Sequence, residues 1–167
     1  MNPQPRKLVA VENTRVLFRN FKGEKGTFNA EGDRNFCAIL TEEQYEELLN
    51  EGWNVKRTKP RDDEEFGEPY IKVIVKYGAY PPKIVLVSGR NRTVLDESSV
   101  EILDWSDITN VDLTFTPYNW SNARGESGIS AYAKSVWVTI EEDPFAGKYD
   151  IPQAGRLVES EEFEDRR

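Results

Sequence analysis

Alternating apolar and polar positions predict a chain built mainly from β-strands. The clearest case is residues 71–77, in which Ile71, Val73, Val75 and Tyr77 share one face and the intervening residues, two of them lysines, take the other. Six further runs are rich in β-branched or aromatic residues and are also predicted as strands: 9–21, 35–40, 53–58, 83–87, 111–118 and 130–140.

A helix is predicted at residues 41–52. Thr41 and Gln44 have the spacing of a capping box, in which each side chain accepts a hydrogen bond from the backbone amide of the other residue. The apolar Leu48 follows at helical spacing, and Gly52 is a natural stop. The helix is therefore expected to be short and to bury one face.

The predicted strands favour a small β-barrel or sandwich, with the helix plugging one end or covering an edge. A weaker helical turn is expected within residues 96–103, and residues 158–167 are typical of a charged, disordered tail. We therefore expect one folded domain over residues 1–150, followed by an acidic tail over residues 151–167.

The 167 residues include no histidine, which removes the commonest general base and transition-metal ligand. The single cysteine, Cys37, lies in an apolar run and is predicted to be a buried, inert thiol. Carboxylates at residues 62–65 could hold Mg²⁺, although adjacent carboxylates on a loop are far more often merely solvated. The sequence also lacks a glycine-rich phosphate loop and a nucleophile elbow. We therefore predict a protein that is not an enzyme and carries no metal or cofactor.

The net charge of −8 and the pI of 4.8 argue at first against a nucleic-acid partner. The acidic charge is concentrated, however, because residues 41–52, 62–68 and 141–167 each carry a net charge of −5. The remainder of the chain therefore carries +7. The predicted β framework is basic, so the overall charge does not exclude a nucleic-acid partner.

Basic residues on this framework are interleaved with aromatic ones. Sites for single-stranded nucleic acid combine these two types because cations neutralise phosphates while aromatic rings stack on unpaired bases. The candidates for phosphate contacts are Lys56, Arg57, Lys72, Lys76, Arg90, Arg92, Arg124 and Lys134. The stacking candidates are Tyr70, Tyr80, Tyr118 and Trp120, with Phe28 less securely placed, and Tyr80 and Trp120 are expected on loops. The aromatic residues expected in the core or packed on the sheet are Phe18, Phe36, Trp53, Phe115 and Trp137.

Several short motifs occur in a recognisable order. They are Phe18-Arg19-Asn20-Phe21, Arg34-Asn35-Phe36-Cys37, Gly52-Trp53-Asn54-Val55-Lys56, Pro81-Pro82-Lys83-Ile84, Leu95-Asp96-Glu97, Pro117-Tyr118-Asn119-Trp120 and Ala131-Tyr132-Ala133-Lys134-Ser135. In this order, over roughly residues 8–150, the chain resembles bacteriophage-encoded single-stranded DNA-binding proteins with an OB-fold. The resemblance implies a five-stranded barrel with extra strands or hairpins that binds single-stranded DNA without sequence specificity during phage replication or recombination.

The resemblance also implies a role for the acidic tail, either occupying the DNA groove or recruiting phage replication proteins. Residues 159–165 fit that role in composition. Arg166 and Arg167 follow Phe163, whereas the best-known tails end on an aromatic or aliphatic residue. This departure puts docking of partner proteins in doubt but leaves an electrostatic role intact. The alternative is a solvated end that only makes the protein more soluble.

Other interpretations stay open at this point. The three acidic segments could imitate DNA in an inhibitor of a host enzyme, and Tyr118 with Trp120 could form a platform for a sugar. No stretch has the length and apolarity of a signal peptide or a membrane span, so we expect an intracellular, soluble protein. The sequence is compatible with a homo-oligomer and does not define its size.

Overall fold

The computed structural model describes residues 7–27 and 29–141. Phe28, the predicted domain boundary at residue 150 and the acidic tail lie outside these residues. The described part forms one α-helix, α1 (Glu42–Glu51), and a 3-10 helix (Val100–Asp104) within the predicted helical turn and one residue beyond it. Its strands are β1 (Val9–Thr14), β2 (Val16–Asn20), β3 (Arg34–Ile39), β4 (Val55–Arg57), β5 (Pro69–Val75), β6 (Lys83–Ser88), β7 (Asn91–Leu95), β8 (Ile108–Ser121) and β9 (Ser127–Ile140).

The mainly β prediction is confirmed, and so is the capped helix. The Thr41 hydroxyl accepts a hydrogen bond from the Gln44 amide at 3.1 Å, and the Gln44 side chain accepts one from the Thr41 amide at 2.9 Å. Gly52 ends the helix in the left-handed conformation, with φ at 96°. Of α1, Leu48 is buried, and the helix packs on β4 and β5.

The strand predicted over residues 9–21 is two strands. Asn13 has φ at 54°, and the pairing register shifts between Val11 and Thr14, so the chain bends and changes partner. β1 pairs with β8, and β2, which begins at Val16 after the single connecting residue Arg15, pairs with β3. Because this one bent segment pairs on both sides, it brings the two ends of the sheet together.

The hydrogen-bonded strand order is β1-β8-β9-β5-β3-β2. The first and last strands of this order, β1 and β2, belong to the same bent segment. Among the described residues no ladder of hydrogen bonds joins β1 to β2, so the sheet is not fully closed. Taken as one strand, that segment forms with β3, β5, β8 and β9 the five-stranded, partly open barrel of the OB-fold. β4 adds to β5 and the β6–β7 hairpin adds to β9, so the extra strands sit at the edges.

Aromatic side chains fill the barrel. Phe36 and Phe115 are fully buried, with the Phe21 ring 5.0 Å from Phe36 and the Trp53 ring 5.3 Å from Phe115. Burial of each such side chain contributes about 1.5–3 kcal/mol. The expected burial of Phe36, Trp53 and Phe115 is confirmed.

Two aromatic residues from predicted strands are not in the core. Phe18 is 65% exposed, so it is not in the core, although its ring contacts Tyr70 on the outer face of the sheet. Its φ of 51° breaks the strand alternation and turns the side chain outward. Trp137 lies on the outer surface of the sheet and is 38% exposed.

Candidate nucleic-acid interface

The outer face of β5 is the centre of the candidate interface. The predicted alternation is confirmed, because Ile71 and Val73 are buried while Lys72 is exposed. Lys72 lies opposite Cys37 of β3, and residues opposite each other in register point to the same face. β5 therefore presents Lys72 on the outer face, with Tyr70 and Ile74 at alternate positions beside it.

The long β8–β9 hairpin adds a row of aromatic side chains. Tyr118 and Trp120 occupy alternate positions of β8, and Tyr132 on β9 lies in register beside the row, opposite Thr116. The Tyr118 and Tyr132 rings are stacked, with centroids 4.9 Å apart and planes at 6°. Trp120 is on this strand and not on the loop where it was expected. Its ring covers Gly128, since a Cβ added there would lie 2.9 Å from the indole.

An open groove of about 740 Å³ lies between this hairpin and the β5–β6 connection. We call it the lysine-tyrosine groove. It is lined by Lys76, Tyr80, Lys83, Thr116, Tyr118, Tyr132 and Lys134, together with small residues of the connection. A second hollow, of about 360 Å³, shares Lys76 and Tyr132 with it and continues over Lys72, Ile74 and Asn35. Its far rim is mixed in charge, because Asp33 and Glu97 also line it. The two hollows form one path across β9, β5 and β3.

The chemistry of the groove is cationic and aromatic. Among residues 7–27 and 29–141, no carboxylate lies within ion-pair distance of Lys72, Lys76, Lys83 or Lys134. The Lys76 ammonium lies 5.9 Å from the centre of the Tyr132 ring. Lys134 is the extra residue of a β-bulge, since Ser135 and Ala133 pair with consecutive residues of β8. Tyr80, in the β5–β6 connection, is 94% exposed. This groove therefore offers accessible rings beside lysines that pair with no described carboxylate.

A second aromatic pair lies at the other end of the same face. Tyr70 is opposite Lys56 of β4, and its ring meets Phe18 edge-on at 6.0 Å. Burial raises the pKa of the Tyr70 hydroxyl. Nearby on β3, Cys37 is buried, and that burial raises the pKa of its thiol to about 11. The predicted burial of the thiol is confirmed.

Arg57 is a predicted phosphate ligand that the structure directs elsewhere. It follows Lys56 on β4 and so points to the opposite side. Its guanidinium donates to the two carboxylate oxygens of Glu42 at 2.6 and 3.0 Å and lies 4.4 Å from the Tyr45 ring. The hydrogen bond between the two side chains raises the pKa of Arg57 and lowers that of Glu42. Arg57 thereby joins β4 to α1.

Three other predicted cations lie outside the groove. Arg90 and Arg92 belong to the β6–β7 hairpin, whose turn is about 16 Å along β6 from Lys83. Arg124 is exposed in the turn between β8 and β9, where it lies 3.6 Å from Glu126. Of the predicted set, the structure brings six residues to the two hollows and the strand face between them: Lys72, Lys76, Lys134, Tyr70, Tyr80 and Tyr118. Lys56 and Trp120 lie at the two ends of that face.

Sequence reasoning missed Tyr132, Lys83 and Phe18 as site residues. A signal for Tyr132 was present, because it alternates with the small, buried Ala131 and Ala133 and so had to face outward. Lys83 reaches the groove through the geometry of the β5–β6 connection. The exposure of Phe18 follows from its unusual φ, which no local pattern indicates.

The described residues were also compared with the requirements of a metal site and of a membrane-spanning helix. Within residues 7–27 and 29–141, no three carboxylate or cysteine side chains cluster closely enough to hold a metal ion, and this includes the carboxylates at 62–65. No helix in this part of the chain is long and apolar enough to cross a membrane.

The position of the groove on the barrel defines a class of protein. OB-folds bind oligonucleotides on the face of their second and third strands and through the loop joining their fourth and fifth. Here those elements are β3, β5 and the β8–β9 hairpin, the elements that carry the two hollows and the aromatic row. Fold and site thus define an OB-type oligonucleotide-binding protein.

The chain belongs to the family described as "Putative phage ssDNA-binding domain", whose pattern matches residues 2–165. The resemblance noted from its motifs is thereby confirmed, and single-stranded DNA binding is the function of the family. No curated protein is matched.

Two solved structures share the fold. The C-terminally truncated single-stranded DNA-binding protein from bacteriophage Enc34 superposes with a TM-score of 0.55, at 14% identity over 83% of this chain and 88% of that one. The single-stranded DNA-binding protein from the same phage gives a TM-score of 0.51 at 15% identity, over 86% of this chain and 91% of that one.

Proposed function

We propose that single-stranded DNA lies in the lysine-tyrosine groove and is held there without sequence preference. The observation that carries this proposal is the stacked Tyr118–Tyr132 pair beside lysines that have no carboxylate partner among the described residues. Because every base has a π-face and every nucleotide a phosphate, such a surface selects single strands but no sequence. A duplex keeps its bases stacked on each other and so cannot use the rings.

Binding then has an electrostatic and a stacking component. Lys76, Lys83 and Lys134 neutralise phosphates, and each phosphate neutralised on a single strand lowers the log–log slope of affinity against salt by about 0.7. The tyrosines accept bases, at about 1–3 kcal/mol per base. Lys72 carries the strand across β5 toward Tyr70, Phe18 and Lys56.

The biological role that fits this binding is protection of single-stranded DNA during phage replication or recombination, in the cytoplasm of the host. The protein acts without catalysing a reaction. Phage replication proteins are partners that the tail could recruit.

The acidic tail is the second element of the proposal. Residues 151–167 would compete with DNA for the groove lysines, since they bring carboxylates to a groove whose described lining residues include none. Deleting residues 158–167 should therefore tighten DNA binding at low salt. Unchanged DNA affinity would refute competition by the tail and would not affect the proposal that DNA binds in the groove.

Fluorescence anisotropy with labelled oligo-dT and a matched duplex tests the groove. The wild-type chain should bind the single strand more tightly than the duplex, and Tyr132→Ala should weaken single-strand binding about 5- to 100-fold. Trp105→Ala is the matched control, because Trp105 is an exposed aromatic residue that lines neither hollow. Equal affinity for single strand and duplex, or Tyr132→Ala binding as tightly as Trp105→Ala, would refute the proposal. Light scattering on the same samples gives the oligomeric state.

A further inference from the structure

The outer face of β6, β7 and β9 carries an apolar row that the groove does not include. Trp137 of β9 lies opposite Val85 of β6, which lies opposite Val94 of β7. Residues in register share a face, so these three side chains form one row across the sheet. Trp137 and Val94 at its two ends are exposed, whereas Val85 between them is buried. Tryptophan is enriched at interfaces because its ring is apolar while its N–H can still bond to a partner or to water.

Lys83 joins this row to the lysine-tyrosine groove. Its ammonium lies 5.4 Å from the centre of the Trp137 ring, and the same side chain lines the groove. Along β9, Tyr132 and Trp137 both point outward, while Ala133 and Val136 between them are buried. With the bulge discounted, about 13 Å of strand separates the two rings. The groove and the row are therefore parts of one continuous outer surface.

The charge around the row is that of a phosphate-binding surface on its β6–β7 side. Arg92 lies opposite Val87 and so points to the same face, and Arg90 is exposed in the adjoining turn. The acidic neighbour of Trp137 is Asp112, on the β8 side. Its carboxylate accepts a hydrogen bond from the Asn13 amide at 2.8 Å. A polyanion that leaves the groove past Lys83 thus meets cations in the direction of the β6–β7 hairpin.

We propose that a single strand longer than the groove continues past Lys83, stacks a further base on Trp137 and places its next phosphates on Arg92 and Arg90. This extension rests on the groove being the primary DNA site. It gives the protein a footprint in two parts, the second of which only longer strands reach. Lys83 moves from the indole to a phosphate when the base arrives, which uncovers the ring.

Affinity measured against oligo-dT length tests the extension. Trp137→Ala should leave the affinity for the shortest strand that fills the groove unchanged and weaken long strands about 5- to 100-fold. The length at which wild-type affinity stops rising should be shorter in this variant. Trp137→Phe keeps a stacking ring and should recover most of the loss. Thermal unfolding of each variant verifies the fold, and Trp105→Ala again serves as the control.

The outcomes separate the extension from the primary site. If Tyr132→Ala weakens every length and Trp137→Ala weakens none, the groove stands and the extension is wrong. Equal weakening of short and long strands by Trp137→Ala also overturns the extension, because Trp137 would then act through the groove. A molecular mass that falls on Trp137→Ala without DNA would assign the row to a second copy of the chain. Failure of the wild-type chain to bind any length would refute the primary site itself.

Discussion

Phe18 combines two unfavourable features that a purely structural residue would avoid. Its ring is 65% exposed, and its φ of 51° lies in the left-handed region. That backbone conformation costs an L-residue about 1–2 kcal/mol, and glycine adopts it without the steric penalty. The ring meets Tyr70 at the end of the outer face where Lys56 lies. We therefore expect that Phe18 serves DNA binding at the expense of stability.

Phe18→Gly should separate these two properties. Relief of backbone strain returns about 1–2 kcal/mol, whereas loss of the buried third of the ring costs about 0.5–1 kcal/mol and the added freedom of the unfolded chain about 0.5–1 kcal/mol. The net change in the free energy of unfolding should stay within about 1 kcal/mol, or about 2–4 °C in Tm. Single-stranded DNA affinity should fall about 5- to 100-fold, since one stacking ring is lost.

Thermal unfolding and fluorescence anisotropy on the same preparation measure both effects. Phe36→Ala is the contrasting variant, because that fully buried ring should cost about 3–5 kcal/mol. A Phe18→Gly protein that loses more than about 2 kcal/mol of stability would show that the ring is a packing residue. Unchanged DNA affinity in a stable Phe18→Gly protein would show that the ring does not stack on a base.

Three further outcomes follow from the structure. Arg57→Ala should lower Tm while leaving DNA affinity unchanged. Because its partner Glu42 has a lowered pKa, the ion pair contributes to stability above the unfolded-state pKa of Glu42, and this contribution is lost as pH falls through the folded-state pKa. Thermal unfolding of the wild type and Arg57→Ala over a range of pH measures this loss. Cys37 should resist iodoacetamide at pH 8 in the folded protein and react after denaturation, and rapid native labelling would contradict its burial. Gly128→Ala should displace the Trp120 ring and shift its emission spectrum, because the new Cβ would lie 2.9 Å from the indole; an unchanged spectrum would contradict that packing.

Strand alternation and helix capping predict much of this fold from the sequence. On β5 the two faces differ sharply in polarity, so the outer position of Lys72 follows from period two alone. The capping box likewise encodes the start of α1 locally. Where one face of a strand is buried and the other is solvated, the alternation of apolar and polar residues predicts which side chains face the core.

Which residues form the site depends on side-chain direction and strand register, and no short sequence pattern predicts these. Lys56 and Arg57 are equally basic, but adjacent strand residues point to opposite sides, and only Lys56 lies on the outer face with Tyr70. The bulge at Lys134 and the bend at Asn13 shift the pairing register, and register decides which aromatic residues meet. The pairing of Tyr118 with Tyr132 is therefore a property of the folded hairpin.

The salt dependence of oligo-dT affinity in single-charge variants tests the central claim most directly. Lys76→Ala and Arg57→Ala each remove one positive charge, but only Lys76 lines the groove. If DNA lies in the groove, the magnitude of the log–log slope should fall by about 0.7 in Lys76→Ala and stay at the wild-type value in Arg57→Ala. Equal slopes in all three proteins, or a smaller slope in Arg57→Ala alone, would place the DNA on another surface.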